Sequence, residues 1–219
     1  MKILCFGDSI TRGVTLQGKR LRIVKQTYPK HLQAARPNDE IVNKGVFNDN
    51  SSSLLQRFDK DVVAEHPDVT LLEIGGNDCV FNWQEVANAP DDVHQPTVRM
   101  QDFKQNIRTL YDRLTNVGSK LVLVTPPPLD PVKYYQYLEN LFDQSISKWI
   151  CKVGGIDFWH KQYNDAIVQL SEELHIPLID VRKAFIETDH FQDFMSNDGI
   201  HPNEEGYVLM AQTIEQTIK

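Results

Sequence analysis

The sequence predicts an α/β fold, a three-layer α/β/α domain built on a five-stranded parallel sheet. Three observations carry this. Short runs rich in Val, Ile and Leu recur five times along the chain, as expected of parallel strands covered on both faces. Longer segments with apolar residues spaced three and four apart lie between them, which is the period of amphipathic helices. The length, 219 residues, suits one good core and is short for two, so residues 1–219 are expected to form a single domain.

The strand candidates are Ile3 to Phe6, Glu40 to Asn43, Val69 to Ile74, Lys120 to Thr125 and Ile176 to Asp180. Phe103, Ile107, Leu110 and Leu114 form one helical stripe, and Trp159, Tyr163, Ile167, Leu170 and Leu174 form a longer one. Both read as core rather than as cofactor contacts. Asn203, after Pro202, can cap a last helix with Tyr207, Met210, Ile214 and Ile218 on one face. Alternating strands and helices imply right-handed crossovers with helices on both sheet faces. The least regular stretches, residues 79–101 and 126–131, each follow a predicted strand.

Composition excludes several classes. The chain has 23 basic and 30 acidic residues, a formal charge of -7, which argues against a nucleic-acid partner. The one basic stretch, Lys19 to Lys25, is interrupted by apolar residues and reads as a solvated loop or helix face. The three cysteines, Cys5, Cys79 and Cys151, make no C-x-x-C pair, so neither a disulfide scaffold nor a thiolate zinc site is expected. Residues 1–6 are too short for a signal-peptide core, and no apolar run is long enough to span a membrane. The chain reads as cytoplasmic with no membrane insertion, and it is compatible with a homo-oligomer.

In an open parallel sheet, ligands bind outside the carboxyl ends of the strands. Four polar segments fall at that edge: Gly7 to Thr15, Gly45 to Ser53, Gly75 to Trp83, and Pro126 to Pro131. The first, Gly7-Asp8-Ser9-Ile10-Thr11-Arg12-Gly13-Val14-Thr15, suits either a phosphate at a helix start or an exposed nucleophile. A serine there also suits a helix cap. A nucleophilic serine requires a histidine base. Of the seven histidines, His201 stands out, because Asp198 precedes it by three residues in Asp198-Gly199-Ile200-His201. One short loop can then place a carboxylate on Nδ1 and leave Nε2 free as a base. The same loop also reads as a plain surface turn. Two ligands are too few for a metal site, and neither metal nor cofactor is expected. Asn77, in Gly75-Gly76-Asn77-Asp78, offers an amide donor, and Gly45 offers an unobstructed backbone N–H for a developing oxyanion.

The combination resembles the SGNH hydrolases, also called the GDSL lipase/esterase family, and small bacterial members in particular. Gly7-Asp8-Ser9-Ile10 resembles the nucleophile block, with isoleucine in place of the leucine of the name. Gly45 matches the glycine of the second block, Gly75-Gly76-Asn77-Asp78 the third, and Asp198-Gly199-Ile200-His201 the fifth, so the likeness runs over nearly the whole chain. It implies a flavodoxin-like fold and a serine acylhydrolase. Ser9 would be the nucleophile, His201 the base and Asp198 its orienting carboxylate. The Ser9 N–H, the Gly45 N–H and the Asn77 amide would form the oxyanion hole. No G-x-S-x-G elbow is present, which disfavours an ordinary α/β-hydrolase.

The resemblance implies a carboxylic ester as partner. Asp8, Phe81, Asn82 and Trp83 flank the expected site and are candidates for substrate contact. Residues 129–137, rich in tyrosine, could cover it. The expected substrate is a small soluble ester, with an O-acetylated carbohydrate favoured and a lysophospholipid or thioester as the alternative. A flavodoxin-like FMN or phosphate binder leaves Asn77, Asp198 and His201 without a task. A catalytically silent binding module on the same fold leaves the whole set unexplained.

Overall fold

A computed structural model describes residues 1–218. The elements run β1 (Lys2–Gly7), α1 (Ser9–Arg12), β2 (Val14–Gln17), β3 (Arg20–Ile23), α2 (Tyr28–Ala35), β4 (Glu40–Gly45), α3 (Ser51–Asp61) and β5 (Val69–Glu73). They continue as α4 (Trp83–Asn88), α5 (Met100–Asn116), β6 (Lys120–Val124), α6 (Pro131–Phe142), α7 (Ile146–Lys152), α8 (Phe158–Leu174), β7 (Leu178–Ile179), α9 (Val181–Ile186) and α10 (Glu204–Thr217).

The main sheet is parallel throughout, in the order β4-β1-β5-β6-β7. Counting only these strands, the order is 2-1-3-4-5, that of flavodoxin-like folds. The chain winds outward from β1 in both directions, so the switch point falls at its carboxyl end. Alternation along each strand feeds two cores. Leu4, Phe6 and Leu72 pack under α3, α5 and α8, beside Phe58, Phe103 and Ile107. Ile3, Cys5 and Leu71 face the other way, beneath α2, α9 and α10. A third cluster, with Phe81, Trp83, Tyr134 and Trp149, lies outside the sheet layers and joins α4, α6 and α7.

All five expected strands form. The last is shorter than expected, because Pro177 has no N–H and Asp180 leaves the strand to cap α9 through Lys183 N. Asn203 caps α10 as expected, its side chain accepting from Gly206 N at 2.9 Å. Ile218 falls just beyond that helix, at its carboxyl cap. The basic stretch departs from expectation. Arg20–Ile23 is a strand, paired antiparallel with Val14–Gln17 in a separate two-stranded hairpin. Gly18, at φ +61°, turns that hairpin. Alternation of Arg20, Leu21, Arg22 and Ile23 is the pattern a strand needs, and its exposure is as expected.

Candidate active site

The site grows from β1. Gly7 ends the strand where no side chain fits, since a Cβ would meet Glu73 O and Thr11 Oγ1, each at 2.3 Å. Asp8 then caps α1, with Oδ1 accepting from Ile10 N at 2.8 Å. Ser9 is therefore the first residue of the helix rather than its cap, and its own N–H is one of the unpaired donors of a helix start. Thr11, on the same turn, faces inward and donates to Glu73 Oε2 at 3.1 Å.

The loop before α10 supplies the partners. Ser9 Oγ lies 2.9 Å from His201 Nε2, across 192 residues of sequence. His201 Nδ1 lies 2.7 Å from Asp198 Oδ2. Asp198 Oδ1 accepts from Ser196 Oγ at 2.9 Å, Ile200 N at 2.9 Å and His201 N at 3.0 Å. Burial alone would raise the Asp198 carboxyl. The hydrogen bonds and charge of His201, helped by Ile200 N–H, outweigh that and hold it below the ordinary range. It stays an acceptor, so the Nδ1 proton belongs to the Asp198 bond and Nε2 presents its lone pair to the Ser9 hydroxyl.

Asn77 stands at the same edge, after β5. Its Nδ2 donates to Asp49 O at 2.8 Å and lies 3.4 Å from Asp8 Oδ2. Asp78, immediately after, accepts from Ser51 N at 2.9 Å and from the Ser51 hydroxyl, which ties the β4 and β5 loops together. Burial raises the Asp8 carboxyl to about 7. The same cause raises Glu73, deeper in the sheet, well above the carboxylate range.

These groups open onto a cavity of about 180 Å³. Asp8, Ser9, Asn77, Phe81, Trp83, Asp198 and His201, all singled out in the sequence, line it together. Tyr134 and Tyr137, from the tyrosine-rich stretch, line it too. That stretch is helical from Pro131 on, with Asp130 capping α6.

Two expected site residues lie elsewhere. Gly45 is at the end of β4, but its N–H donates to Asn43 Oδ1 at 2.8 Å and is not free for an oxyanion. Its lack of a side chain serves packing instead, since a Cβ there would meet Arg12 N at 2.2 Å. Asn82 is exposed and caps α4, accepting from Glu85 N at 3.3 Å, so its side chain is turned from the cavity. Sequence reasoning also missed residues. Asn48 lines the cavity with φ at +63°, a conformation that asparagine tolerates better than most residues. The Asn48-Asp49-Asn50 run after Val46-Phe47 was the available signal, since such runs favour turns with left-handed residues. Leu21, Cys79, Trp159 and His160 line the cavity as well. Trp159 also lies on the α8 stripe, and for that reason the sequence marks it as core.

Residues 5–209 match the model of the GDSL-like Lipase/Acylhydrolase family. The chain belongs to this family. The GDSL esterase/lipase CPRD49 of Arabidopsis thaliana is 26% identical over 224 residues, covering 100% of this chain and 78% of that protein. An acetylxylan esterase of Xylanibacter ruminicola is 24% identical over 234 residues, covering 100% of this chain and 43% of that protein. The crystal structure of the lipase/acylhydrolase from Enterococcus faecalis superposes with a TM-score of 0.72 at 21% identity, over 98% of this chain and 93% of that one. That likeness is one of fold. The GDSL chain is thus a carboxylic ester hydrolase, an esterase or acylhydrolase of the SGNH type. No helix among its described residues is long and apolar enough to cross a membrane.

Proposed function

We propose that this esterase works through a serine acyl-enzyme, with Ser9 as nucleophile, His201 as base and Asp198 as its orienting partner. The observation that carries the reading is the unbroken chain of contacts from Ser9 Oγ to His201 Nε2 at 2.9 Å and from Nδ1 to Asp198 at 2.7 Å. Ser9 Oγ attacks the ester carbonyl as its proton passes to Nε2. The imidazolium then returns that proton to the leaving alkoxide, and the acyl group stays on Ser9 until water, deprotonated by His201, releases it.

The oxyanion is met by the Ser9 N–H, by an Asn77 amide hydrogen and by the Asn48 N–H. In this reading Asn48 takes the part expected of Gly45; it is supported by Asn43 engaging the Gly45 N–H, by Asn48 lining the cavity, and by the bond from Asn77 Nδ2 to Asp49 O, one residue on. All three donors are neutral and cost no reorganisation during the reaction.

The favoured substrate is a small ester, an O-acetylated carbohydrate foremost. The modest cavity and its aromatic wall of Phe81, Trp83 and Trp159 support this, as does the acetylxylan esterase among the relatives. The second reading, a longer acyl chain as in a lysophospholipid or thioester, draws on the apolar Leu21 and Phe47, which line the cavity while partly exposed. A phosphate or flavin site is disfavoured by the buried Asp8 carboxyl beside the serine.

The test is hydrolysis of p-nitrophenyl esters of graded length together with acetylated xylosides, by the parent and by Ser9→Ala. A maximum at acetate supports deacetylation, and a maximum at long chains moves the substrate to the second reading. Turnover retained in a clean Ser9→Ala preparation removes Ser9 as nucleophile.

A further inference from the structure

His160 has no part in the chemistry above, yet it lines the same cavity while only 4% exposed. Its Nδ1 lies 3.0 Å from Arg182 Nη1, at the start of α9. A guanidinium only donates, so Nδ1 is the accepting nitrogen and the ring proton sits on Nε2. Burial, and then the charge of Arg182, push the imidazolium pKa down to about 3, which keeps the ring neutral near pH 7. Among the described residues Nε2–H meets no acceptor. The cavity also carries the apolar residues Ile156, Trp159, Phe81 and Leu129. Nε2–H is not sealed in the core, so it opens toward the cavity it lines, and a group bound there decides whether this donor is paired.

We propose that His160, held in its Nε2–H form by Arg182, is a specificity-determining donor for an uncharged oxygen of the substrate. That oxygen is an ether, ring or hydroxyl oxygen away from the scissile carbonyl. The proposal rests on the esterase reading of this cavity and adds to it the chemical class of the group carried by the ester. A plain alkyl group bound against Nε2–H shuts it off from water with nothing to meet, whereas an oxygenated one satisfies it. Sites built this way reject the analogue that lacks the oxygen. An anionic group fits less well, because Asp157, Asp165 and Asp180 already lie within electrostatic reach of Arg182.

The experiment compares matched esters in which one oxygen replaces one methylene. Tetrahydropyran-4-yl acetate against cyclohexyl acetate probes the alcohol side, and p-nitrophenyl methoxyacetate against p-nitrophenyl butanoate probes the acyl side. The preference for the oxygenated member is divided by that of the parent, which cancels intrinsic reactivity. His160→Phe is expected to lower this preference about tenfold or more in at least one pair, mostly through KM. His160→Gln, which keeps an N–H donor, should restore part of it. Arg182→Met, which lets the ring proton move to Nδ1, should lower it as His160→Phe does. Unchanged preferences in both pairs, for His160→Phe or for Arg182→Met if His160→Phe does not fold, overturn the proposal. A parent protein that hydrolyses none of the four esters overturns the esterase reading, and the proposal with it, before any variant is made.

Discussion

Replacing Asp198 by asparagine tests the proposed mechanism at its most dependent point. Asp198 Oδ1 accepts three hydrogen bonds, from Ser196 Oγ, Ile200 N and His201 N, while Oδ2 serves His201 Nδ1 alone. The asparagine oxygen therefore stays where it meets three donors, and its NH2 turns to the imidazole. A donor facing Nδ1 forces the ring to accept there and to carry its proton on Nε2. That nitrogen then cannot take the Ser9 proton. The loop keeps its bonds and the fold survives, but the base is in the wrong tautomer. The expected loss in kcat is about 10⁴-fold, roughly 5.4 kcal/mol of transition-state stabilisation. Initial rates on p-nitrophenyl acetate measure it, with thermal unfolding of the same samples as a check on folding. A folded Asp198→Asn protein that loses less than about tenfold would refute the reasoning, because the tautomer of His201 would then not depend on this carboxylate.

Asn77→Ala should lower kcat about 100- to 1000-fold with little change in KM, if its amide meets the oxyanion. An unchanged kcat takes Asn77 out of the hole. Gly45→Ala should lower the unfolding temperature by forcing β4 from α1, where its Cβ would meet Arg12 N at 2.2 Å. A normal melting curve would mean that β4 and α1 accommodate the added methyl and that packing does not require glycine at this position. For His160 the folded pKa of about 3 lies below the ordinary 6.5. The unfolded chain thus binds a proton that the folded one refuses, and stability present above pH 6.5 is lost toward pH 3. The slope from this one group is at most about 1.36 kcal/mol per pH unit, and denaturant titrations of His160→Phe over that range should show it removed.

The sheet was legible because its strands are buried on both faces, and continuous Val, Ile and Leu runs say so without help from tertiary context. The Ser9, Asp198 and His201 cluster was legible for another reason. Each sits in a short polar segment after a strand or before a helix, and a parallel sheet brings such segments to one edge. Where reading failed, side chains had competed for the same backbone group. Gly45 looked free, but Asn43, two residues back, reaches its N–H, and spacing alone does not reveal that competition. Asn82 looked like a pocket residue because Phe81 and Trp83 are; as a helix cap it must turn its side chain to Glu85 N. The β2–β3 hairpin is weakly marked because its alternation spans only Arg20 to Ile23, and two of those four residues are charged. His160 lies within α8 beside the apolar stripe, and only its pairing with Arg182, 22 residues on, sets it apart.

The carboxylates around Ser9 raise a last question, because negative charge there opposes an oxyanion. Asp49 is neutralised by Arg57, whose Nε lies 2.5 Å from Oδ2. Glu73 is kept protonated by burial. Asp78, raised by burial to about 6, is turned to Ser51. Asp8 differs: it lines the cavity, lies 3.4 Å from the Asn77 amide, and has a carboxyl raised by burial to about 7. Below that pH it is neutral. Above it, the new charge draws the Asn77 amide to itself and repels the oxyanion. The acylation rate should then decline as pH rises through about 7. Stability should fall over the same direction, because a carboxyl with a raised folded pKa stabilises the fold below its ordinary 3.8 and loses that contribution as pH climbs to its folded value. Asp8→Asn keeps an oxygen for Ile10 N and removes the charge, so its kcat/KM should hold level where the parent declines. Parallel pH profiles for the two proteins would mean that the Asp8 charge never reaches the transition state, and that the neutral donors of Ser9, Asn48 and Asn77 are already shielded from it.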